Sequence, residues 1–197
     1  MKLHAGDKLV IATHNQGKLR EISELLGRFD LLFDSSGNLG LEEPEETEKT
    51  FKGNALLKAR FVASSTGLIA LADDSGLVVP ALDGQPGVDT AYWGGSSRNY
   101  VLAMKKVHDL LDNKPRDAHF VCVLAIVWPD GKETLFEGKA FGTLTWPIRG
   151  NLGHGYDPMF IPKGDTRTYA EMNIHEKNQT SARGKAFELL KKELLDA

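Results

Sequence analysis

Two adjacent aspartates, Asp73 and Asp74, lie in the segment Leu71–Gly76 (LADDSG), between one apolar run and a second at Leu77–Val79. A chain carrying this pattern must bring carboxylates to the edge of what is otherwise sheet interior. With strand pieces at Leu68–Ala72 and Gly76–Pro80, the pair falls at a strand terminus, where it repels itself and loses hydration. A bound divalent cation such as magnesium is the simplest compensation. The ordinary alternative is a solvated turn, because Asp, Ser and Gly are turn residues.

The rest of the chain alternates strand and helix signals. Lys8–Thr13 is short, apolar and β-branched, and it stops at His14-Asn15-Gln16-Gly17. Leu19, Ile22, Leu25, Leu26 and Phe29 then recur at helical spacing, with Arg20, Glu21 and Glu24 between them. Leu31–Phe33 starts a second strand, followed by an acidic loop holding Glu42, Glu43, Glu45, Glu46 and Glu48. From Thr50 the residues Phe51, Ala55, Ala59 and Val62 share a helical face, with Asn54, Lys58 and Arg60 displaced from it. Asp83–Gly95 reads as a glycine-rich loop, Ser96–Leu111 as a helix, and His119–Trp128 with Glu133–Leu144 as a hairpin turning at Pro129-Asp130-Gly131. After Gly150–Gly155 come Tyr156–Ile161, a polar segment, and a last helix over Ser181–Leu195. This order predicts an α/β fold, helices layered on a mixed sheet, with two lobes and a cleft between them. Ligands of such sheets gather at strand ends.

At 197 residues the chain fits a single domain of two lobes spanning 1–197. With 41% apolar and 26% charged residues it is too apolar for general disorder. A formal net charge of −3 gives no bulk attraction to nucleic acid, so no nucleic-acid partner is expected. The sole cysteine, Cys122, reads as a small buried hydrophobe and excludes an intrachain disulfide. The N-terminal stretch lacks a signal-peptide core and no apolar run approaches the ~20 residues that span a bilayer, so the expected setting is cytoplasmic, without membrane contact.

Thr13-His14-Asn15-Gln16-Gly17-Lys18 is a strand-to-helix turn whose free backbone N–H groups and helix dipole favour an anion. Lys18, the Thr13 hydroxyl and the Asn15 amide suit a polyphosphate, although Ala12 and Leu19 stand where a Walker A loop needs Gly and Ser/Thr. One of the five glutamates of the acidic loop together with Asp73 and Asp74 would suffice for magnesium. A carboxylate there could instead orient or deprotonate an attacking water. Asn54 and Lys58, four residues apart, add a polar contact and a phosphate-directed cation. Gly153-His154-Gly155-Tyr156-Asp157-Pro158 suits stacking a planar base and accepting its N–H, and Lys177, Ser181 and Arg183 offer donors to a ring carbonyl or phosphate. Each of these has a plain structural alternative: a turn, a solvated loop, or a helix cap at Ser181.

Taken in order, Thr13-x-Asn15-x-x-Lys18-x-x-Glu21, Glu45-Glu46-Thr47, Phe51-x-x-Asn54-Ala55-x-x-Lys58-Ala59, Ala72-Asp73-Asp74-Ser75-Gly76-Leu77, Pro86-Gly87, Gly155-Tyr156-Asp157-Pro158-x-Phe160 and Ser181-x-Arg183-Gly184-x-Ala186 resemble the inosine triphosphate pyrophosphatase (Ham1-like) family over nearly the whole chain. The loop after the first strand differs from the Ser-Pro-Arg-Arg ending of the related Maf-like group. The resemblance implies an elongated mixed sheet flanked by helices, a homodimer, and an active site between lobes. It also implies magnesium-dependent hydrolysis of non-canonical purine nucleoside triphosphates such as ITP, dITP and XTP to monophosphate and pyrophosphate, a cleansing of the nucleotide pool. Carried over by motif, Asp74 is the catalytic carboxylate, helped by Lys18 and Lys58, and the metal falls to Asp74, Asp73 and Glu45 or Glu46. Thr13, Asn15, Lys18 and Lys58 would handle phosphates, while Ser75, Tyr156, Asp157, Lys177 and Arg183 would hold the nucleotide, with His14, Gln16, Gly17, His154, Gly155 and Ala182 also in the substrate site. This chain departs from the family pattern at Ala182 (usually His), at His154 (usually aromatic) and at Tyr92 (usually Arg).

Overall fold

A computed structural model of the protein describes residues 1–195, so the last two positions of the expected 1–197 unit lie outside it. Strands β1 (Lys8–Ala12), β2 (Leu32–Ser35), β3 (Ile69–Val78), β4 (Asp117–Val127), β5 (Glu133–Leu144) and β6 (Phe160–Pro162) form one mixed sheet in the order β2-β1-β3-β4-β5-β6. β1 pairs in parallel with both β2 and β3, and every pairing from β3 onward is antiparallel. Five α-helices accompany it: α1 (Gln16–Leu26), α2 (Phe51–Thr66), α3 (Tyr100–Leu111), α4 (Ile174–Thr180) and α5 (Ala182–Leu194). The expected α/β architecture of a mixed sheet flanked by helices is therefore present. Among the described residues no helix is long and apolar enough to cross a membrane.

Side-chain alternation along the strands sorts the core. Leu9, Ile11 and Leu71 point to the face covered by Ile22 and Leu26 of α1 and by Phe187 and Leu190 of α5. Val10, Ala12, Ala70 and Ala72 point to the other face, under Ala55, Ala59 and Val62 of α2. A third cluster, with Leu77, Met104 and Val107 of α3, Tyr156, Phe160 and Tyr169, lies toward the other end of the long strands. The connection through α1 leads from β1 to β2 on one side, and the connection through α2 returns to β3 on the other. The chain thus reverses its winding between β1 and β3, the place where α/β sheets open a crevice at their carboxyl ends.

Sequence expectation and structure differ at several points. The two strand pieces around Asp73-Asp74 are one unbroken strand, and the pair is mid-strand rather than at a terminus or in a turn. β4 continues to pair alongside, with Asp73 opposite Leu124 and Asp74 opposite Val123, whereas β1 stops opposite Ala72. The ladder on one side is what keeps the backbone extended through residues whose side chains disfavour it. The polar segment before the last helix contains α4, whose capping box joins Asn173 and Glu176. Within Asp83–Gly95 a short 3₁₀ turn, Gly87–Asp89, gives the expected loop some regular structure.

Helices α4 and α5 meet at Ser181, which ends one and caps the other by accepting from the Gly184 N–H at 3.0 Å. A Cβ on Gly184 would lie 1.8 Å from the Asn178 carbonyl oxygen, so the tight corner requires glycine. Gly184→Ala should therefore lower stability by about 1–3 kcal/mol, the usual range for overpacking, read as a drop in the thermal midpoint. An unchanged midpoint would show that the corner relaxes freely.

Candidate active site

Because successive residues of a strand face opposite ways, Asp73 and Asp74 do not confront each other. Asp73 turns toward α1 and α5. Its Oδ1 lies 2.6 Å from Lys18 Nζ and accepts from Ser75 Oγ at 3.0 Å, while its Oδ2 accepts from Arg183 Nε at 2.9 Å and from the Cys122 thiol at 3.0 Å. Burial alone would raise its pKa, but Arg183 and then Lys18 outweigh burial and hold the carboxyl well below the usual range. Both oxygens are thus occupied, which sets Asp73 apart from the other acidic residues expected to take a metal. Cys122, expected only to fill space, is a thiol donor here, and burial followed by the negative Asp73 keeps it well above its ordinary pKa.

Asp74 turns toward α2. Its Oδ1 accepts from Lys58 Nζ at 2.9 Å, and the same ammonium donates to Glu46 Oε1 at 2.6 Å. Asp74 Oδ2 is buried with no partner. Burial raises the Asp74 pKa to about 6 against the pull of Lys58 and Lys18, with Glu46 pushing the same way as burial. Glu46 is held below its ordinary value because Lys58 overcomes the effect of burial. Asn54 and Lys58, displaced from the apolar face in the sequence pattern, are in fact buried beside Ala55 and Ala59. The reason is the acidic loop folding over α2, where Glu48 N–H donates to Asn54 Oδ1 at 3.0 Å. Glu45 is exposed and outside this cluster, so of the two candidates Glu46 is the one brought to Asp74.

The turn before α1 differs from expectation in one respect. Asn15 Oδ1 caps the helix by accepting from the Gly17 and Lys18 N–H groups at 2.9 and 3.1 Å, so these donors are not free for an anion. Thr13 Oγ1 accepts from Asn15 N–H at 3.1 Å, His14 Nε2 lies 2.7 Å from the Leu41 carbonyl, and Gln16 is exposed. Gly17 is buried against the His154 ring, and a Cβ there would come within 2.6 Å of it.

On the α1/α5 side lies a second charged cluster. Glu21, read from the sequence as a polar spacer, is almost fully buried and joins Lys177 (2.6 Å), Arg183 and the His154 ring. Lys177 Nζ also donates to Asp157 Oδ2, which accepts the His154 backbone N–H at 2.7 Å. Arg183 Nη2 donates to Ser75 Oγ at 3.1 Å. The sequence signal for Glu21 was its place three residues after Lys18 and next to Ile22, on the buried side of α1. Although Glu21, His154 and Asp157 are close enough together to ligate a metal, Lys177 and Arg183 already neutralise these carboxylates. Tyr156 is not an open stacking platform. Its ring is buried edge-on to Tyr100 at 5.7 Å, and its hydroxyl donates to the Thr90 carbonyl at 3.0 Å.

Two contiguous chambers result. One is walled by Phe120, Tyr156, Tyr169, Cys122, Gly155 and Ala182, with Lys177, Arg183 and Asp157 at its polar side. The other holds Thr13, Glu43, Glu46, Lys58, Asp74 and Arg98. Asn15, Lys18, Ser75, Thr90 and Tyr100 line both, forming the passage between them. The cations that line the first chamber, Lys18, Lys177 and Arg183, are matched by Asp157 in its wall and by Glu21 and Asp73 behind them, which suits a planar, neutral, partly polar ligand. In the second, Glu43, Glu46, Asp73 and Asp74 exceed Lys18, Lys58 and Arg98, an acidic excess that suits a divalent cation accompanying an anion.

The profile of the Ham1 family matches residues 9–193. A dITP/XTP pyrophosphatase of Gluconobacter oxydans is 51% identical over 187 residues, covering 94% of this chain and 90% of its own. One from Caulobacter vibrioides is 51% identical over 195 residues, covering 97% and 100%. Among solved structures, a HAM1 protein from Coxiella burnetii superposes with a TM-score of 0.85 at 37% identity, over 94% of this chain and 97% of that one.

The position of Asp74 has a consequence for stability that is independent of turnover. A carboxyl titrating near about 6 when folded, against ~3.9 when unfolded, binds more protons folded than unfolded between those values, so stability falls as pH rises through that window. In metal-free protein Asp74→Asn should therefore be more stable than wild type above pH ~6, by on the order of 1–3 kcal/mol, with the gap closing toward pH ~4. Urea denaturation across pH in the presence of chelator measures it. Parallel curves for the two proteins would show that burial does not penalise the Asp74 charge.

Proposed function

The chain belongs to the Ham1 family, and from that premise we propose that it hydrolyses non-canonical purine nucleoside triphosphates, dITP, XTP and ITP, to the monophosphate and pyrophosphate. The observation that carries this reading is the pair of joined chambers on either side of β3, one charge-balanced with aromatic walls and one acidic with an unpartnered Asp74 Oδ2. A nucleotide lying through the passage places its base against Phe120 and Tyr169, and its phosphates past Lys18 toward Lys58.

The residues present fit magnesium. A buried carboxylate oxygen without a donor, next to a second carboxylate, is a hard oxygen site of the kind magnesium shares with its own waters and with phosphate oxygens. Glu46 and Asp74 would hold it, and when bound it supplies charge neutralisation for the triphosphate oxygens. Asp74 orients the attacking water and accepts its proton. Lys58 keeps Glu46 and Asp74 in register, and Lys18, anchored on Asp73, presents its charge at the passage where the bond between the α and β phosphates breaks.

Base choice is read on the other side of β3. Arg183 gives three of its N–H groups to Asp73, Glu21 and Ser75, and Lys177 gives two to Glu21 and Asp157. The donors that remain can donate to a 6-oxo oxygen and leave the 6-amino group of adenine unmatched, which disfavours ATP. Ala182 lines this chamber together with His154, so the imidazole lost at one position stands across the same wall at the other. Family membership supports a homodimer acting on the nucleotide pool of the cytoplasm, and the net charge of −3 supports a free nucleotide rather than nucleic acid as partner.

The deciding experiment measures phosphate release from ITP, XTP, dITP and ATP with and without added inorganic pyrophosphatase. Signal that depends on the coupling enzyme, with ATP the poorest substrate, is expected. Direct orthophosphate release, or a preference for ATP, would sink the assignment. Asp74→Asn should lower kcat by a factor on the order of 10² or more while the protein remains folded, and near-normal kcat would remove Asp74 from the chemistry.

A further inference from the structure

Of the cations lining the acidic chamber, two are committed to buried carboxylates: Lys18 to Asp73 and Lys58 to Asp74 and Glu46. Arg98 is different. Its Nη2 lies 3.2 Å from Glu43 Oε2 and 2.9 Å from the Tyr92 hydroxyl, and both members of the ion pair are more than a third exposed. An exposed pair of this kind is weak, so the guanidinium can exchange its partner for a better one at little cost.

The backbone aims this side chain deliberately. Arg98 adopts φ +52, a left-handed conformation that a β-carbon disfavours, between a turn closed by its own N–H to the Gly95 carbonyl and Asn99, which caps α3. The guanidinium carbon sits 5.0 Å from the centre of the Tyr92 ring, so an aromatic face steadies it at the chamber rim. Arg98 lines the same chamber as Glu46, Lys58 and Asp74, so its charge faces the chamber.

We propose that Arg98 is a substrate-binding residue that engages the terminal phosphates of the substrate, exchanging Glu43 for phosphate oxygens, and so makes the protein select a triphosphate over a monophosphate. The inference rests on the proposed pyrophosphatase reaction and deepens it. A guanidinium matches two phosphate oxygens with parallel N–H donors, a geometry that lysine cannot reproduce. Glu43 then acts as a placeholder that holds Arg98 at the rim until an anion displaces it. Because Glu43 belongs to the acidic loop and Arg98 to the loop before α3, the exchange also loosens an ion pair that joins those loops.

The test uses the intact protein and inorganic pyrophosphate as probe. For Arg98→Ala, calorimetric binding of magnesium pyrophosphate should weaken about tenfold or more, with the KM for ITP rising in step, while binding of IMP stays within about twofold. Arg98→Lys should fall between wild type and Ala, and Glu43→Gln should tighten pyrophosphate by a few-fold, to roughly a third of the wild-type Kd, by removing the competitor. Unchanged pyrophosphate binding in Arg98→Ala, or equal weakening of IMP, overturns the proposal while leaving the reaction intact. Failure of the wild type to release pyrophosphate from ITP overturns the reaction and the proposal with it. Circular dichroism of each variant confirms that the comparison is between folded proteins.

Discussion

The contact between Asp73 and Arg183 is the one on which the rest of the site depends. It joins the middle of the central sheet to the first turn of α5, both ends buried, with Ser75, Lys18, Glu21 and Cys122 arranged around it. A carboxylate at the centre of a six-stranded sheet is tolerable only if cations reach it, and they must come from helices whose packing is set by apolar contacts elsewhere. Deleting either partner of such a pair strands a buried charge, at a cost of about 3–5 kcal/mol. The hydrophobic packing of α1 and α5 and the polar order of the site are therefore a single arrangement.

Strand geometry then turns one acidic dipeptide into separate functions. Asp73 is neutralised on one face, an anchor for Arg183, Lys18 and Ser75. Asp74, one residue on, faces the other way, is short of partners, and has its proton affinity raised into the range useful near neutrality. No mutual repulsion had to be relieved, because the pleat separates the pair. The negative excess of the acidic chamber comes instead from Asp73, Asp74, Glu46 and Glu43 outnumbering Lys18, Lys58 and Arg98.

Much of this was legible before any coordinates. Period-2 and helical patterns located β1, α1, α2, the β4–β5 hairpin and α5 because each has a clean apolar face. Ordered motifs located Lys18, Lys58, Asp74 and Arg183. What escaped was decided at long range. β3 was broken in two on paper because local propensity sees DDSG as a turn, whereas pairing with β4 holds it extended. Asn54 and Lys58 looked solvated because nothing local shows that the acidic loop covers them. Glu21 looked like a spacer because its partners, Lys177 and Arg183, lie more than 150 residues further along the chain. Asn15, expected to meet an anion, has its side-chain oxygen taken as a helix cap.

That sequence separation between Glu21 and Arg183 has a meaning for how the protein comes into being. Lys18, Glu46, Lys58 and Asp74 all belong to the first half of the chain, so a growing polypeptide acquires the acidic chamber's unpartnered carboxylate early. Its counterpart is incomplete until α4 and α5 have been made and have packed against α1 and β4. Until then Asp73 and Glu21 lack the guanidinium that makes their burial tolerable, and the sheet centre resists closing around them. Assembly of the charge-balanced chamber is thus tied to the docking of the last helices, and a chain that lacks them keeps Asp74 but not the wall on the other side of β3.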